Sequence, residues 1–303
     1  MLLCPAIAAA AIAFTQADAD ISYSTAAALC TNHVSRDAGT AAGARAANFI
    51  LRAATRAGGD ARADRFEAQT PLGPKFFSNV YAAFPGKTGK WVVFISHFDT
   101  KRGAGCPGAN DGASTSGLLT GLCAAFARAE DNLPYGCLLV WTDGEECFKS
   151  YSPGDGLWGA KRAVSKIAAK KLEIEAVICL DMLGDADLNI SIPRNTTPRL
   201  AAAALAAAEK TGAKDKISTI GQLMIDDHVP FLEADYPAVN LIDFDFGNKG
   251  ESWWHTGKDT LDKISAASLY CAGRIAAEMY NALSSGAGGK EQQKADNYDA
   301  VSP

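Results

Sequence analysis

The sequence predicts an α/β fold with three layers, in which helices cover both faces of a mixed, mostly parallel central sheet. Two observations support this prediction. Four apolar segments are too short to be helices and are typical of strands that are buried on both faces. Segments with helical periodicity alternate with these strands, an order typical of parallel sheets. The chain has 303 residues, which is enough for one large domain with a substantial core.

The predicted elements follow one another along the chain. A helix at 38–57 precedes two strands at 65–70 and 76–84, which are separated by a Pro- and Gly-containing turn at 71–74. The four buried strands are predicted at 91–96, 136–142, 177–180 and 238–242. Helices are predicted at 114–129, 156–169, 196–211 and 265–283.

Both ends of the chain differ in composition from the predicted catalytic domain at 21–283. Residues 1–20 are apolar and Ala-rich, and Ala17-Asp18-Ala19 is typical of a signal cleavage zone, although a basic leading region is missing. We therefore expect export to the periplasm or the extracellular space; the alternative is a buried or amphipathic first helix. The tail at 284–303 is polar and Gly-rich, and we expect it to be disordered.

Charge and cysteine content exclude several classes of protein. The net charge is -5 and no Lys/Arg cluster occurs, which argues against a nucleic-acid partner. No apolar run approaches the roughly 20 residues of a membrane span. The eight cysteines form no CxxC pair, which excludes the usual cysteine zinc sites. Cys106 and Cys147 lie in loops beside candidate site residues, where they could form a disulfide or stay free.

Potential metal ligands follow the buried strands. Sites in open α/β sheets lie at the carboxyl ends of the strands. The side chains found at these ends, and in the loop after the first strand, are His97, Asp99, Asp111, Glu145, Glu146, Asp181 and His255. Imidazole and carboxylate ligands together suit zinc. The pattern also predicts that the Asp99 carboxylate fixes the tautomer of His97.

The adjacent pair Glu145-Glu146 predicts a division of roles. Neighbouring side chains on an extended segment point to opposite sides. One carboxylate can therefore bind the metal while the other faces the substrate. A partly desolvated carboxyl group near other carboxylates has a raised pKa, as a proton shuttle requires. We assign Glu146 to the metal and Glu145 to proton transfer.

Five motifs in order resemble the metal-site motifs of peptidase family M28. They are SHFDTK, GANDGAS, TDGEE, CLDMLGD and WWHTGKDTLDKIS. Three longer segments are more similar to the glutaminyl cyclase branch of that family: QTPLGPKFFSN at 69–79, DGEECFKSYSPGDGLWGAKR at 143–162 and IDDHVPFLEADYP at 225–237. The resemblance covers 38–283 and implies a zinc exopeptidase-like (phosphorylase/hydrolase-like) fold.

The resemblance also implies a ligand set. Asp111, Glu146 and His255 match the positions that hold the zinc ion found in both branches. In the two-zinc peptidases Asp111 would bridge the ions, and His97 and Asp181 would bind the second one.

Other residues match positions around the substrate. Glu145 matches the general acid/base, and Asp227 matches an acidic residue that supports the cyclase proton network. Trp254 and Tyr151 match aromatic positions of the substrate pocket. Tyr151 itself stands where the cyclases carry Trp.

Two further departures concern the hydrogen-bond network of the cyclases. Asn240 stands where that network has His, and Gly112 stands where it has Ser. The run at 110–114 is more similar to the peptidases.

Three functions follow as hypotheses. The favoured one is cyclisation of an N-terminal Gln to pyroglutamate with release of ammonia, with one zinc ion. The alternative is hydrolysis of N-terminal residues by an aminopeptidase with two zinc ions. Both predict the free N-terminus of a peptide or protein as the substrate. The third is a non-catalytic peptide-binding module, which predicts a damaged site. The sequence leaves the oligomeric state open.

Overall fold

The structure is a computed structural model that describes residues 11–248 and 250–285. Its strands are β1 (Ala61–Thr70), β2 (Gly73–Phe84), β3 (Lys90–His97), β4 (Gly136–Thr142), β5 (Glu173–Asp181), β6 (Ile190–Ile192), β7 (Ile217–Thr219), β8 (Ala238–Ile242), β9 (Gly247–Asn248) and β10 (Glu251–Ser252). Its α-helices are α1 (Gln16–Asn32), α2 (Ala41–Arg56), α3 (Thr115–Ala127), α4 (Trp158–Ala169), α5 (Pro198–Lys210), α6 (Val229–Glu233) and α7 (Ala266–Ser284).

Within these described ranges, eight strands form one mixed sheet in the order β1-β2-β4-β3-β5-β8-β6-β7. The four central strands, β4, β3, β5 and β8, are parallel. At one edge of these parallel strands, β2 pairs antiparallel with β4, and β1 pairs antiparallel with β2. At the other edge, β6 pairs antiparallel with β8. The carboxyl ends of the central strands therefore open at one edge, as the predicted sheet requires.

Side-chain alternation in the central strands builds a core on each face of the sheet. In β3, Val92 and Phe94 pack into the core that includes α1, α2, α3, α5 and α7. Val93 and Ile95 pack on the opposite face, in the core that includes α4 and α6. Successive strand residues point to opposite faces, so a strand that is covered on both sides is apolar throughout. The three-layer prediction is confirmed.

The predicted strands and helices are found, with bounds that shift by a few residues. β4 and β8 have the predicted bounds, whereas β5 begins four residues earlier than predicted, at Glu173 rather than at 177. The strands β6, β7, β9 and β10 were not predicted, and α1 was anticipated only as the alternative of a first helix within residues 1–20. These strands have two or three residues each, too few for an alternating pattern to stand out.

The predicted boundary at residue 20 falls inside α1. The helix begins with an N-terminal cap in which the Thr15 N–H donates to the Asp18 carboxylate at 2.7 Å. Asp18 is fully buried, and both of its oxygens accept hydrogen bonds from Arg128 at the end of α3. Residues 16–20 thus belong to a helix that packs against α3, whereas the domain bounds of 21 and 283 stay predictions.

Close packing of α1 on α3 explains why the first helix belongs to this domain. A Cβ atom at Gly117 would lie 2.2 Å from the Ser22 carbonyl oxygen, so only glycine permits this approach of the two backbones. Residues 1–10 and the tail from 286 lie outside the described residues. Export stays a prediction. No helix within the described ranges has the length and apolar character needed to cross a bilayer.

Candidate metal centre and active site

Three predicted ligands from distant parts of the chain converge at the carboxyl edge of the sheet. Asp111 lies in a turn after β3, Glu146 in the loop after β4, and His255 after β10. Each offers a ligand atom, and these atoms lie within 4.8 Å of one another. His255 Nε2 lies 2.7 Å from Glu146 Oε1 and 3.3 Å from Asp111 Oδ2.

A second group of possible ligands shares Asp111 with the first. His97 at the end of β3 and Asp181 at the end of β5 complete it, again with ligand atoms within 4.8 Å of one another. His97 Nε2 lies 3.2 Å from both Asp111 Oδ1 and Asp181 Oδ1. The structure thus brings together all five residues that were predicted as ligands.

The chemistry of this cluster fits a metal cation. Asp111, Glu146 and Asp181 are three buried carboxylates, and buried charges are costly unless they are paired. Asp111 Oδ2 is buried, and within the described part of the chain it has the contact with His255 Nε2 at 3.3 Å but no hydrogen bond of good geometry. Burial and the charge of Asp226 raise the pKa of Asp181 to about 7. A zinc ion would relieve this crowding, and imidazole and carboxylate are ligands that it accepts.

Asp99 has a different role from the one predicted. His97 Nδ1 lies 3.2 Å from the Asp99 backbone oxygen and 3.6 Å from its carboxylate. The carboxylate instead accepts hydrogen bonds from the backbone N–H groups of Gly144, Glu145 and Glu146, at 3.0 to 3.1 Å. The backbone carbonyl therefore orients the imidazole, and the buried carboxylate holds the loop that carries both glutamates.

Two buried charged residues hold the turn that carries Asp111. Asp259 accepts hydrogen bonds from the backbone N–H groups of Asn110 and Asp111, at 2.7 and 3.0 Å. Arg36 is fully buried and donates to the carbonyl oxygens of Pro107 and Gly108, at 2.7 and 2.6 Å. Asp259 lies within the motif WWHTGKDT but was given no role. Arg36 carried no sequence signal, because its partners are backbone atoms.

We expect Asp259→Ala to weaken zinc binding about 10- to 100-fold, the usual cost of losing an outer partner of a metal ligand. The change leaves two N–H groups of the Asp111 turn unpaired, so the ligand loses its fixed position. Chelator competition on the purified protein measures the zinc affinity. Asp262→Ala, an exposed position on the same segment, is the matched control. Equal affinities in the two variants would contradict this role of Asp259.

Glu145 lies beside the ligand cluster without belonging to it. Its side chain lines a cavity of about 230 Å³, together with the ligands, Tyr151 and Trp254. The Tyr151 hydroxyl lies 2.9 and 3.0 Å from the two Glu145 carboxylate oxygens. Burial and the negative charge of Glu146 raise the pKa of Glu145 well above its usual range. A carboxyl group with a raised pKa holds a proton more readily than usual, as a residue that accepts and returns a proton requires.

Of the two adjacent acidic residues after β7, one lines the cavity and the other is buried in the core. Asp226 lines the cavity and accepts a hydrogen bond from Asn240 Nδ2 at 2.8 Å. Asp227, the residue predicted for the proton network, is fully buried and accepts a hydrogen bond from the Thr142 hydroxyl. Burial and the charge of Asp226 raise the pKa of Asp227 to about 8. Asp226 was not predicted as a site residue, although it is the member of the pair that reaches the cavity.

Aromatic side chains form one wall of the cavity. The Trp254 ring stacks on the His255 imidazole, with ring centroids 3.8 Å apart, and Phe244 packs edge-on against Trp254 at 5.0 Å. Phe244 and Ile225 also line the cavity and are 40% and 56% exposed. This wall places apolar surface next to the ligand cluster, and the substrate-binding role of Trp254 stays a prediction.

Cys106 and Cys147 are free and buried in the structure. Cys106 lies near Asp259, with 3.7 Å between the sulfur and the carboxylate. Lys101 Nζ lies 3.2 Å from the Cys147 sulfur and 3.1 Å from Glu146 Oε2. The two thiols therefore contact different partners, and the option of a disulfide between them is not realised.

Residues 79–280 match the sequence model of "Peptidase family M28". The matched region includes the five ligand positions and Glu145.

Curated relatives include the glutaminyl-peptide cyclotransferases of Drosophila melanogaster and Bos taurus. The chain is 26% identical to the first over 69% of its own length and 66% of the relative's. It is 27% identical to the second over 68% of its own length and 66% of the relative's. The chain thus spans slightly less than two thirds of each of these two proteins.

A solved structure gives more complete coverage. The chain is 31% identical to the glutaminyl cyclase of an Acidobacteriales bacterium, with a TM-score of 0.83, over 94% of this chain and 99% of that one. The leucine aminopeptidase precursor of Bacteroides thetaiotaomicron, at 20% identity and a TM-score of 0.78, is similar in fold.

Proposed function

The chain belongs to peptidase family M28, and from this membership we propose that it is a zinc-dependent glutaminyl-peptide cyclotransferase. Its substrate is the free N-terminal Gln of a peptide or protein, and its products are pyroglutamate and ammonia. The observation that carries the proposal is the position of Glu145, whose buried carboxyl group lies in the cavity beside Asp111, Glu146 and His255. The likeness to a glutaminyl cyclase over nearly the whole chain supports this reaction over hydrolysis.

Ring closure requires one proton to move between two nitrogens. The α-amine nitrogen forms a bond to the γ-carbonyl carbon of the Gln side chain, and the bond from that carbon to the amide nitrogen breaks. Glu145 accepts the proton from the attacking amine and returns it to the leaving nitrogen, which departs as ammonia. Asp111, Glu146 and His255 would hold a zinc ion, which would supply a Lewis acid for the γ-carbonyl oxygen.

The neighbours of Glu145 support this proton transfer. The negative charges of Asp226 and Asp227 add to burial and to Glu146 in raising the pKa of Glu145. We assign Asp227 a supporting role from behind the cavity wall, through Thr142, and Asp226 the same role from the wall itself. Trp254, Phe244 and Ile225, which line one wall of the cavity, contact the rest of the peptide.

An aminopeptidase with two zinc ions is the second candidate. The observation that favours it is the second ligand group, in which His97 and Asp181 lie at metal-binding distance from Asp111. Glu145 would then activate a water molecule for hydrolysis. A non-catalytic peptide-binding module is disfavoured, because it predicts a damaged site and the ligand set and the acid/base are complete.

A direct assay separates these functions. With zinc supplied, we expect a Gln-initiated dipeptide amide to lose ammonia and form pyroglutamate, detected by mass spectrometry and an ammonia assay. A Leu-initiated dipeptide amide should stay intact. The N-acetylated Gln peptide, which has no attacking amine, is the control substrate. Release of free leucine would favour the aminopeptidase, and inertness toward both peptides would contradict both enzymatic functions.

Metal content gives an independent measurement. We expect about one zinc ion per chain after purification and dialysis, because ring closure needs no activated water. Elemental analysis by mass spectrometry measures the ratio. A ratio of about two would favour the aminopeptidase instead.

A further inference from the structure

The loop between β4 and α4 contains an anchor that fixes its backbone. Asp155, 3% exposed, accepts hydrogen bonds from the three consecutive N–H groups of residues 148–150, at 2.7 to 3.1 Å. Ser152 and Asp155 also exchange backbone hydrogen bonds in both directions, at 3.0 and 3.1 Å. Tyr151 lies between these two sets of bonds, so its position is fixed from both sides.

The ring of Tyr151 is held against the backbone next to Glu145. A Cβ atom at Gly156 would lie 2.7 Å from the Tyr151 ring and 3.0 Å from the Glu145 carbonyl oxygen, so the ring and the backbone meet closely at this glycine. The same carbonyl accepts the Leu157 N–H at 2.9 Å. The backbone of Glu145 is therefore fixed at its N–H by Asp99 and at its C=O by Leu157.

Although its backbone is fixed, Glu145 can still rotate its carboxylate about the last side-chain torsion. The last torsion of a glutamate is broad, so an isolated carboxylate samples many orientations. The Tyr151 hydroxyl lies 2.9 and 3.0 Å from the two carboxylate oxygens and 3.5 Å from Glu146 Oε2. A donor placed at both oxygens restricts this rotation, because most other orientations break the hydrogen bond.

We propose that Tyr151 is a positioning residue for the acid/base, and not only part of the wall of the substrate pocket. Its hydroxyl holds the Glu145 carboxylate in the orientation that accepts the proton from the attacking nitrogen. The inference rests on the proposed role of Glu145 in proton transfer. A fixed geometry of the reacting atoms contributes a large part of an enzyme's rate enhancement. We therefore expect the loss of the Tyr151 hydroxyl to lower the rate measurably.

Tyr151→Phe tests the proposal, because it removes the hydroxyl and keeps the ring. We expect kcat to fall about 10- to 100-fold, the range for a hydrogen bond to a charged group, while KM changes less than about twofold. Zinc content and the thermal unfolding midpoint should stay at wild-type values. Tyr270→Phe on α7, a helix that contributes no residue to the cavity, is the matched control. An unchanged kcat, or a rise in KM alone, would overturn the proposal.

A double-mutant cycle tests whether Tyr151 acts through Glu145. In Glu145→Asp the shortened carboxylate no longer reaches the phenol, so adding Tyr151→Phe should lower kcat by less than about twofold. A further fall as large as the one in the wild-type background would contradict action through Glu145.

A failure of the proposed function can be told apart from a failure of the role proposed for Tyr151. Wild-type turnover of the Gln peptide tests the function, whereas the ratio of variant to wild type tests the role of Tyr151. If the wild type turned over neither peptide, crystal structures of the wild type and Tyr151→Phe would show whether the Tyr151 hydroxyl contacts and orients the Glu145 carboxylate. A wild-type hydroxyl beyond about 3.5 Å from the carboxylate, or an unmoved Glu145 in the variant, would overturn the proposal. The contact in the wild type and a reoriented carboxylate in the variant would support it.

Discussion

Glu145→Gln is expected to lower turnover of the Gln peptide about 10²- to 10⁴-fold, the usual contribution of a general acid/base, while zinc stays bound. The change is nearly isosteric, but an amide cannot accept the proton of the attacking amine. Asp99 and Leu157 hold the backbone of residue 145, and neither contact involves the side chain. Zinc retention is expected because the side chain belongs to neither ligand group.

Two measurements check this prediction together: steady-state turnover and zinc content by elemental analysis. Glu233→Gln, at an exposed position on α6, is the control for loss of a carboxylate elsewhere. A Gln variant with a near-normal rate would remove Glu145 from the mechanism. A Gln variant that has lost its zinc would instead make Glu145 a structural support of the metal site.

The central strands could be predicted from the sequence because burial on both faces of the sheet requires a continuous run of apolar residues. The middle of such a strand, as at Trp91–Ile95 of β3, is apolar at every position, and a short apolar run is visible without knowledge of its neighbours. Helix α1 gave no such signal. Its first five residues fall in the segment 1–20, which has the features of a signal segment, and its buried Asp18 has a partner, Arg128, that lies 110 positions away in sequence. Local patterns cannot reveal such pairs, because the pairing depends on the completed fold.

The same limit applies within the site. His97, Asp111, Glu145, Glu146 and Asp181 were predictable as site residues, because each lies at or after the carboxyl end of a central strand. His255 follows β10, outside the central sheet, and was indicated by a motif that resembles those of the M28 family. Asp99, Asp259 and Arg36 act on backbone N–H and C=O groups, which every residue offers, so the sequence does not indicate the partner. Asp226 and Asp227 are neighbours that could each face the cavity, and only the backbone path after β7 decides that Asp226 does.

Loss of the His255 imidazole is expected to have the largest effect on the metal. Its Nε2 lies within 3.3 Å of both other members of the first ligand group, and its ring stacks on Trp254. Removing it leaves Asp111 and Glu146, two carboxylates without their nitrogen partner. We expect zinc affinity to fall by more than the roughly 10- to 100-fold that loss of an outer partner costs. Turnover should fall in parallel at limiting zinc.

The backbone conformation at His255 determines which substitution removes the imidazole without adding backbone strain. Its φ is 57°, in the left-handed region that residues other than Gly, Asn, Asp and His rarely adopt. His255→Ala therefore combines loss of the ligand with backbone strain, whereas His255→Asn removes the ring but tolerates this conformation. Loss of zinc in both variants, with zinc retained in His33→Ala, would assign the effect to the imidazole. Zinc retained in the Asn variant would mean that the backbone, and not the ring, holds the metal site together, and the convergence of Asp111, Glu146 and His255 would not be a coordination sphere.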